Sequence, residues 1–276
     1  MVNVHNKNIR SFIIWSLCRN KNIRHNWTTS TSLGNATCRE THTLTSVVLA
    51  RLFESIYLVL VSLGLSLPCI GWGQFCGQNH ASAVRNIHAS ARGLAGEKPR
   101  LVMVGSSTIR TWPSPDTAFS QFDVVNAGFG GSCFSDLWAL RDTLIYALQP
   151  EVLIIYEGDN DLVDGVPEHH ILATAEQLLH ELSTRLPQTA VVVVAPKASP
   201  ARYHLAPAYL SLNEGLKQVA GRHEAVWVDC WDAQHTDAGA LREDLFAADG
   251  VHFNGQGYAV WVRELRRQAP WLDPNR

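Results

Sequence analysis

Four apolar, β-branched runs recur beyond Pro99, at 101–104, 152–156, 190–195 and 225–228, with a shorter one at 124–126. Runs of this length bounded by turn residues predict strands buried on both faces, as in a parallel sheet. Between them apolar residues recur every three or four positions: Leu137, Leu140, Leu144 and Leu148; Ile171, Ala175, Leu178, Leu182 and Leu186; the stretch 209–219; and Tyr258, Trp261, Val262 and Leu265. Each set makes one apolar stripe on a helix. Strand and helix therefore alternate, which predicts an α/β fold: a doubly wound parallel sheet of about five strands with helices on both faces. In such sheets ligands bind beyond the carboxyl ends of the strands.

The beginning of the chain has no such period. Residues 1–54 scatter Asn, Thr, Ser and His around one short apolar patch at 12–17 and are expected to be disordered or an over-extended N-terminus. They hold seven Lys or Arg against two Glu, while the remainder holds 16 against 23. The only methionines are Met1 and Met103, so the native start could instead lie near 47–49. Residues 55–71 form an apolar run after Arg51 that ends in Pro and Gly, like the core of an export signal, with Ala81-Ser82-Ala83 as a small-residue cleavage site. A retained anchor touching a membrane through 55–71, or a segment packed on the domain, are the alternatives. The expected division is 1–54, then 55–98 as signal-like segment and linker, then the α/β domain over 99–276. The expected location is exported, periplasmic or extracellular, or membrane-tethered, with the cytoplasm as alternative.

Composition narrows the function classes. Of 276 residues 46% are hydrophobic and 17% charged, enough apolar surface to order a core. A net charge of −2 argues against nucleic acid as partner. Six cysteines without a C-x-x-C pair exclude a disulfide scaffold and a zinc ribbon, and Cys133 and Cys230 are read as unpaired, unless export and a fold that brings them within bonding distance let them oxidise. His169, His170 and His180 lack metal-binding spacing and read as solvated helix residues, so neither metal nor cofactor is expected.

Polar residues collect after the strands. Gly105-Ser106-Ser107-Thr108 follows the first and reads either as a capped strand-to-helix turn or as a nucleophile with backbone amides at hand. Residues 126–132 follow the second, where Gly131 offers an unobstructed N–H; Cys133 stands where a G-x-G-x-x-G motif needs glycine, which argues against a dinucleotide. Residues 157–161 follow the third, where Asn160 offers an amide NH₂; both donors could face an oxyanion. Asp249 and His252 are three apart, close enough for the carboxylate to hold Nδ1 and leave Nε2 as base, though a capping Asp beside a surface His has the same spacing.

Taken together and in order, VMVGSSTIRTW, VVNAGFGGS, YEGDNDL and DGVHFNGQGY, with APKASPARY after the fourth strand, resemble the SGNH, or GDSL-like, hydrolase family, in the branch whose first motif reads GSSTIR as here. The resemblance covers about 99–270. It implies a flavodoxin-like three-layer α/β/α sandwich with strand order 2-1-3-4-5. It makes Ser107 the nucleophile, His252 the base and Asp249 its partner, with Gly131, Asn160 and the Ser107 N–H as oxyanion hole. The departure is Ser106, where the family's usual motif has Asp. The implied activity is hydrolysis of carboxylic esters, with short acyl or O-acetyl groups, through an acyl-enzyme on a small-molecule, lipid or carbohydrate ester. Acyl transfer at the same site, or a binding module without turnover, are the alternatives. Trp112, Phe129, Phe134 and Phe253 flank the expected crevice and read either as a substrate pocket or as core residues bracing its loops.

Overall fold

A computed structural model describes residues 81–94 and 96–274. The basic stretch 1–54, the alternative start near 47–49 and the apolar run 55–71 lie outside the described residues. Among the described residues no helix is long and apolar enough to cross a membrane.

Runs of Val, Ile and Leu form five strands: β1 (Arg100–Gly105), β2 (Asp123–Gly128), β3 (Val152–Tyr156), β4 (Ala190–Val194) and β5 (Val226–Val228). They pair in parallel in the order β2-β1-β3-β4-β5, the arrangement implied by the motifs. Because side chains alternate across a strand, the runs feed two cores. Val102, Val104, Val125, Ala127, Leu153, Ile155 and Val193 face α1 (Ala81–Arg92), α4 (Phe134–Leu144), α6 (Glu168–Arg185) and α7 (Ala206–Arg222). Leu101, Met103, Ile154, Tyr156, Val192, Val194 and Val228 face α2 (Ser107–Arg110), α3 (Pro115–Ala118) and α8 (Gly255–Gln268). A further helix, α5 (Asp159–Val163), follows β3. The result is a three-layer α/β/α sandwich.

Two local outcomes differ from the periodicity. The stripe ending at Leu148 is broken after Leu144: Tyr146–Leu148 is a 3₁₀ turn, and Gln149 adopts a left-handed φ of 49° ahead of Pro150. Helix α1 begins at the Ala81-Ser82-Ala83 stretch and buries Ile87 and Ala91 against the first core, so packed structure begins upstream of residue 99.

The last helix is tied to the loop after β1. Asn254 caps α8 by accepting from the Gln256 and Gly257 N–H groups, which fixes its start. Tyr258 then stacks on Trp112, with ring centroids 5.1 Å apart, and its hydroxyl donates to the Thr108 carbonyl at 2.8 Å. Trp261 meets Trp112 edge-on at 5.8 Å. These contacts join the two chain segments that carry the polar motifs after β1 and before α8.

Candidate active site

Ser107 opens α2 directly after β1. Its carbonyl accepts from the backbone N–H and the hydroxyl of Thr111, both at 2.8 Å, while the Ser106 N–H donates to the Tyr156 carbonyl at 3.3 Å. This turn is possible because Gly105 has φ 140° and because a Cβ there would stand 2.0 Å from the Tyr156 carbonyl oxygen. Gly128 similarly lets β2 approach α2, since a Cβ would lie 2.5 Å from the Arg110 nitrogen.

Before α8 the chain makes a turn in which Asp249 Oδ1 accepts from the N–H groups of Val251 at 2.9 Å and His252 at 3.0 Å. Its other oxygen lies 2.6 Å from His252 Nδ1, and His252 Nε2 lies 2.8 Å from Ser107 Oγ. The hydrogen bond from the imidazole, followed by those two backbone bonds, holds the Asp249 carboxyl far below its ordinary range although the side chain is half exposed. An ionised carboxylate on Nδ1 selects the tautomer whose Nε2 can accept the serine proton. The loop itself is held by three further bonds. Ala201 N–H donates to the Gly250 carbonyl at 3.0 Å, Ala247 N–H to the His252 carbonyl at 2.8 Å, and Lys197 Nζ to the Val251 carbonyl at 3.0 Å.

Asn160 sits in the first turn of α5, after Gly158 at φ 108°. Its Nδ2 donates to the Ser132 carbonyl at 2.9 Å, which uses one of the two amide hydrogens and leaves the other. Gly131, at φ 74°, is half-buried one residue earlier in that loop. Beneath it Ser132 Oγ donates to Glu157 at 2.5 Å, and burial pushes the fully buried Glu157 carboxyl well above its ordinary range. Burial also raises Asp161 to about 7, against two bonds of 3.2 Å from the Phe134 N–H.

The structure thus brings Ser107, His252 and Asp249 into one hydrogen-bonded chain and anchors the Asn160 amide to the loop that carries Gly131. It places the four aromatic candidates differently. Trp112, Phe129, Phe134 and Phe253 are only 5%, 1%, 3% and 5% exposed and belong to the two cores. The pocket assignment gives way to bracing for a simple reason: each ring finds apolar partners beneath its own loop, as Phe253 does in Phe246 and Trp261 at 5.1 and 5.3 Å. Cys133, read as unpaired, is disulfide-bonded, because spacing along the chain says nothing of which thiols the fold brings within reach. Cys230 is a free buried thiol, whose burial pushes its pKa up.

Three functional-looking residues escaped the sequence reading. Asp159, Lys197 and Arg202 form a charged cluster directly behind the site. Burial alone would push the Asp159 carboxyl up, but Lys197, Arg202 and the Tyr209 hydroxyl hold it below its ordinary range. Burial lowers the Lys197 ammonium, against the opposing pull of Asp159. The signal lay in the APKASPARY stretch, whose two cations follow a strand at the sheet's carboxyl edge.

The model of the GDSL-like lipase/acylhydrolase family matches residues 104–260. The chain belongs to that family. No curated protein matches it. Among solved structures, a Streptococcus pneumonia protein provisionally described as a platelet activating factor is 18% identical, with a TM-score of 0.61 over 70% of this chain and 92% of that one. A GDSL-like lipase from Bacteroides thetaiotaomicron is 18% identical, with a TM-score of 0.57 over 67% and 95%. A catalytic mutant of Axe2, an acetylxylan esterase from Geobacillus stearothermophilus, is 18% identical, with a TM-score of 0.54 over 62% and 93%. At such identities the likeness shows the fold. Membership of that family makes this GDSL-like protein a hydrolase of the lipase and acylhydrolase kind.

Proposed function

We propose that the protein is a serine esterase that cleaves carboxylic esters bearing short acyl or O-acetyl groups through an acyl-enzyme. The observation that carries this reading is the unbroken chain from Ser107 Oγ to His252 at 2.8 Å and on to Asp249 at 2.6 Å. His252 Nε2 takes the Ser107 proton as Oγ attacks the ester carbonyl, and the imidazolium is steadied by Asp249. Charge then develops on the carbonyl oxygen. The free Asn160 N–H and the backbone N–H groups of Gly131 and Ser107 receive it. The imidazolium returns its proton to the departing alcohol, and water, activated by His252, releases the acid and restores the serine.

The acyl preference rests on what surrounds the crevice. None of the four aromatic rings offers an open wall to a long chain, since all are turned into the cores. The fold shared with an acetylxylan esterase accords with a small acyl group. A panel of p-nitrophenyl esters of rising chain length, beside an acetylated sugar, tests it: rates should be highest for acetyl and fall with length. Rates that climb with chain length would overturn the short-acyl assignment. A fluorophosphonate should label Ser107, and labelling elsewhere, or none, would overturn the serine mechanism.

Asn160→Ala should lower kcat by about 10²- to 10³-fold, equivalent to about 3–4 kcal/mol of transition-state stabilisation, with little change in KM. Steady-state kinetics on the best ester of the panel check this. A parental kcat would remove the amide from the oxyanion site.

A further inference from the structure

Lysine and aspartate are almost never fully buried unless paired, and a buried ion pair is weak evidence for stability, because apolar residues of similar volume often serve the fold as well. Here the Lys197 side chain is 0% exposed and that of Asp159 3%. Their ions are 3.8 Å apart, and Arg202 Nη1 adds a bond of 2.5 Å to the other oxygen of Asp159. Tyr156 donates to Asp159 at 3.0 Å, and Tyr209 also donates to it. The carboxylate is therefore saturated, and what remains is where the two cations send their other hydrogens.

Both go to the site. Arg202 Nη1 also lies 3.2 Å from Asn160 Oδ1, and Lys197 Nζ donates to the carbonyl of Val251, the residue before His252. We infer that this buried cluster, centred on Asp159, positions the two halves of the ester-cleaving site: Arg202 fixes and polarises the Asn160 amide, and Lys197 fixes the loop that carries His252. The inference rests on the esterase reading above.

The Asn160 amide is gripped at both ends, its oxygen by Arg202 and one N–H by the Ser132 carbonyl. Turning it over would break both bonds, so its remaining N–H keeps one direction. A guanidinium on the amide oxygen also draws electron density from the nitrogen, which makes that N–H a stronger donor as the oxyanion forms. The Lys197 ammonium is enclosed by aromatic rings, 5.1 Å from the Phe253 centroid and 5.8 Å from that of Phe246. Phe253 follows His252 in the chain, so the cation meets the loop on both sides of the imidazole. Arg202 and Lys197 are positioning residues in this scheme, since neither is placed on the reacting atoms.

A double-mutant cycle tests the Arg202 arm. Arg202→Met should lower kcat and the rate of Ser107 labelling by a fluorophosphonate about tenfold to a hundredfold, below the loss for the amide itself, with KM within about twofold. Arg202→Lys, which keeps the ion pair but not the fork, should recover part of the loss. In the Asn160→Ala background the same Arg202→Met change should cost less than about twofold, because its effect runs through the missing amide. Equal losses in both backgrounds, or none in either, would overturn the inference; if Arg202→Met does not fold, Arg202→Lys is carried through the same cycle with the same criterion. For the other arm, Lys197→Met should lower kcat and weaken the low-field proton resonance of the Asp249–His252 hydrogen bond. An unchanged resonance with parental kcat would overturn it. A parent protein that the fluorophosphonate does not label would fail the esterase reading itself and take this inference with it, whereas normal labelling of parent and variants alike fails the inference alone.

Discussion

Ser107→Ala is expected to lower kcat/KM on every ester the protein cleaves by about 10⁴- to 10⁶-fold, the range seen when the nucleophile of a Ser-His-Asp set is removed. The oxyanion donors remain in the variant, so the residual rate should still exceed that of water alone. Stability should move by less than about 1 kcal/mol, because the change removes one hydroxyl from a partly exposed position and creates no buried orphan. Its Oγ bonds to His252 Nε2, on a side chain that is itself partly exposed. The check is a rate on an activated ester beside a thermal melt of the same preparation. A variant that melts like the parent and hydrolyses at its rate would remove the serine from the mechanism.

Gly105→Ala should have the largest effect on the fold. The backbone there has φ 140°, a region that side chains avoid, and a Cβ would meet the Tyr156 carbonyl oxygen at 2.0 Å and its carbon at 2.9 Å. Neither atom can yield without parting β1 from β3 at the centre of the sheet, because Gly105 pairs with Tyr156 in the ladder. A loss of about 4 kcal/mol or more is expected, among the most severe for a single substitution. Gly165→Ala is the control: its φ is also positive at 72°, but no atom lies within 4 Å of the added carbon, so only the local strain of about 1–3 kcal/mol applies. Urea unfolding of both variants separates the two costs, and equal losses would show that the contact with β3 is unimportant. Because Gly105 lies two residues before Ser107, the folded fraction of Gly105→Ala should also be impaired in catalysis.

The sheet was legible because buried parallel strands need unbroken β-branched runs, and this chain supplies them at intervals that leave room for a helix. The 152–156 run coincides with β3, and the others differ from their strands by one or two residues at the ends. Helix α1 was not legible: ASAVRNIHASAR buries only Ile87 and Ala91, too few to mark a stripe against a polar background. Residues 107–110 and 115–118 are single turns, shorter than the period that would reveal them. Within the candidate site, Ser107, His252, Asp249 and Asn160 stood out as candidates because each lies just after a strand or just before a helix, where polar residues need a reason. The aromatics in those same loops could not be assigned from sequence, since a ring that braces a loop and a ring that lines a pocket occupy the same positions along the chain. The cluster behind the site was hidden for the opposite reason. Arg and Lys usually mark the solvent face, and nothing along the chain tells that Lys197 folds inward onto Asp159.

The hydrogen bond between His252 and Ser107 closes a loop of 145 residues, and the Tyr258 hydroxyl reaches Thr108 across 150. A ribosome that has released the first strands has made the hydroxyl but not yet the imidazole it depends on. On the esterase reading, activity therefore requires the segment that carries His252 to dock beside the first strand, and a chain cut short before residue 252 would carry its serine inert.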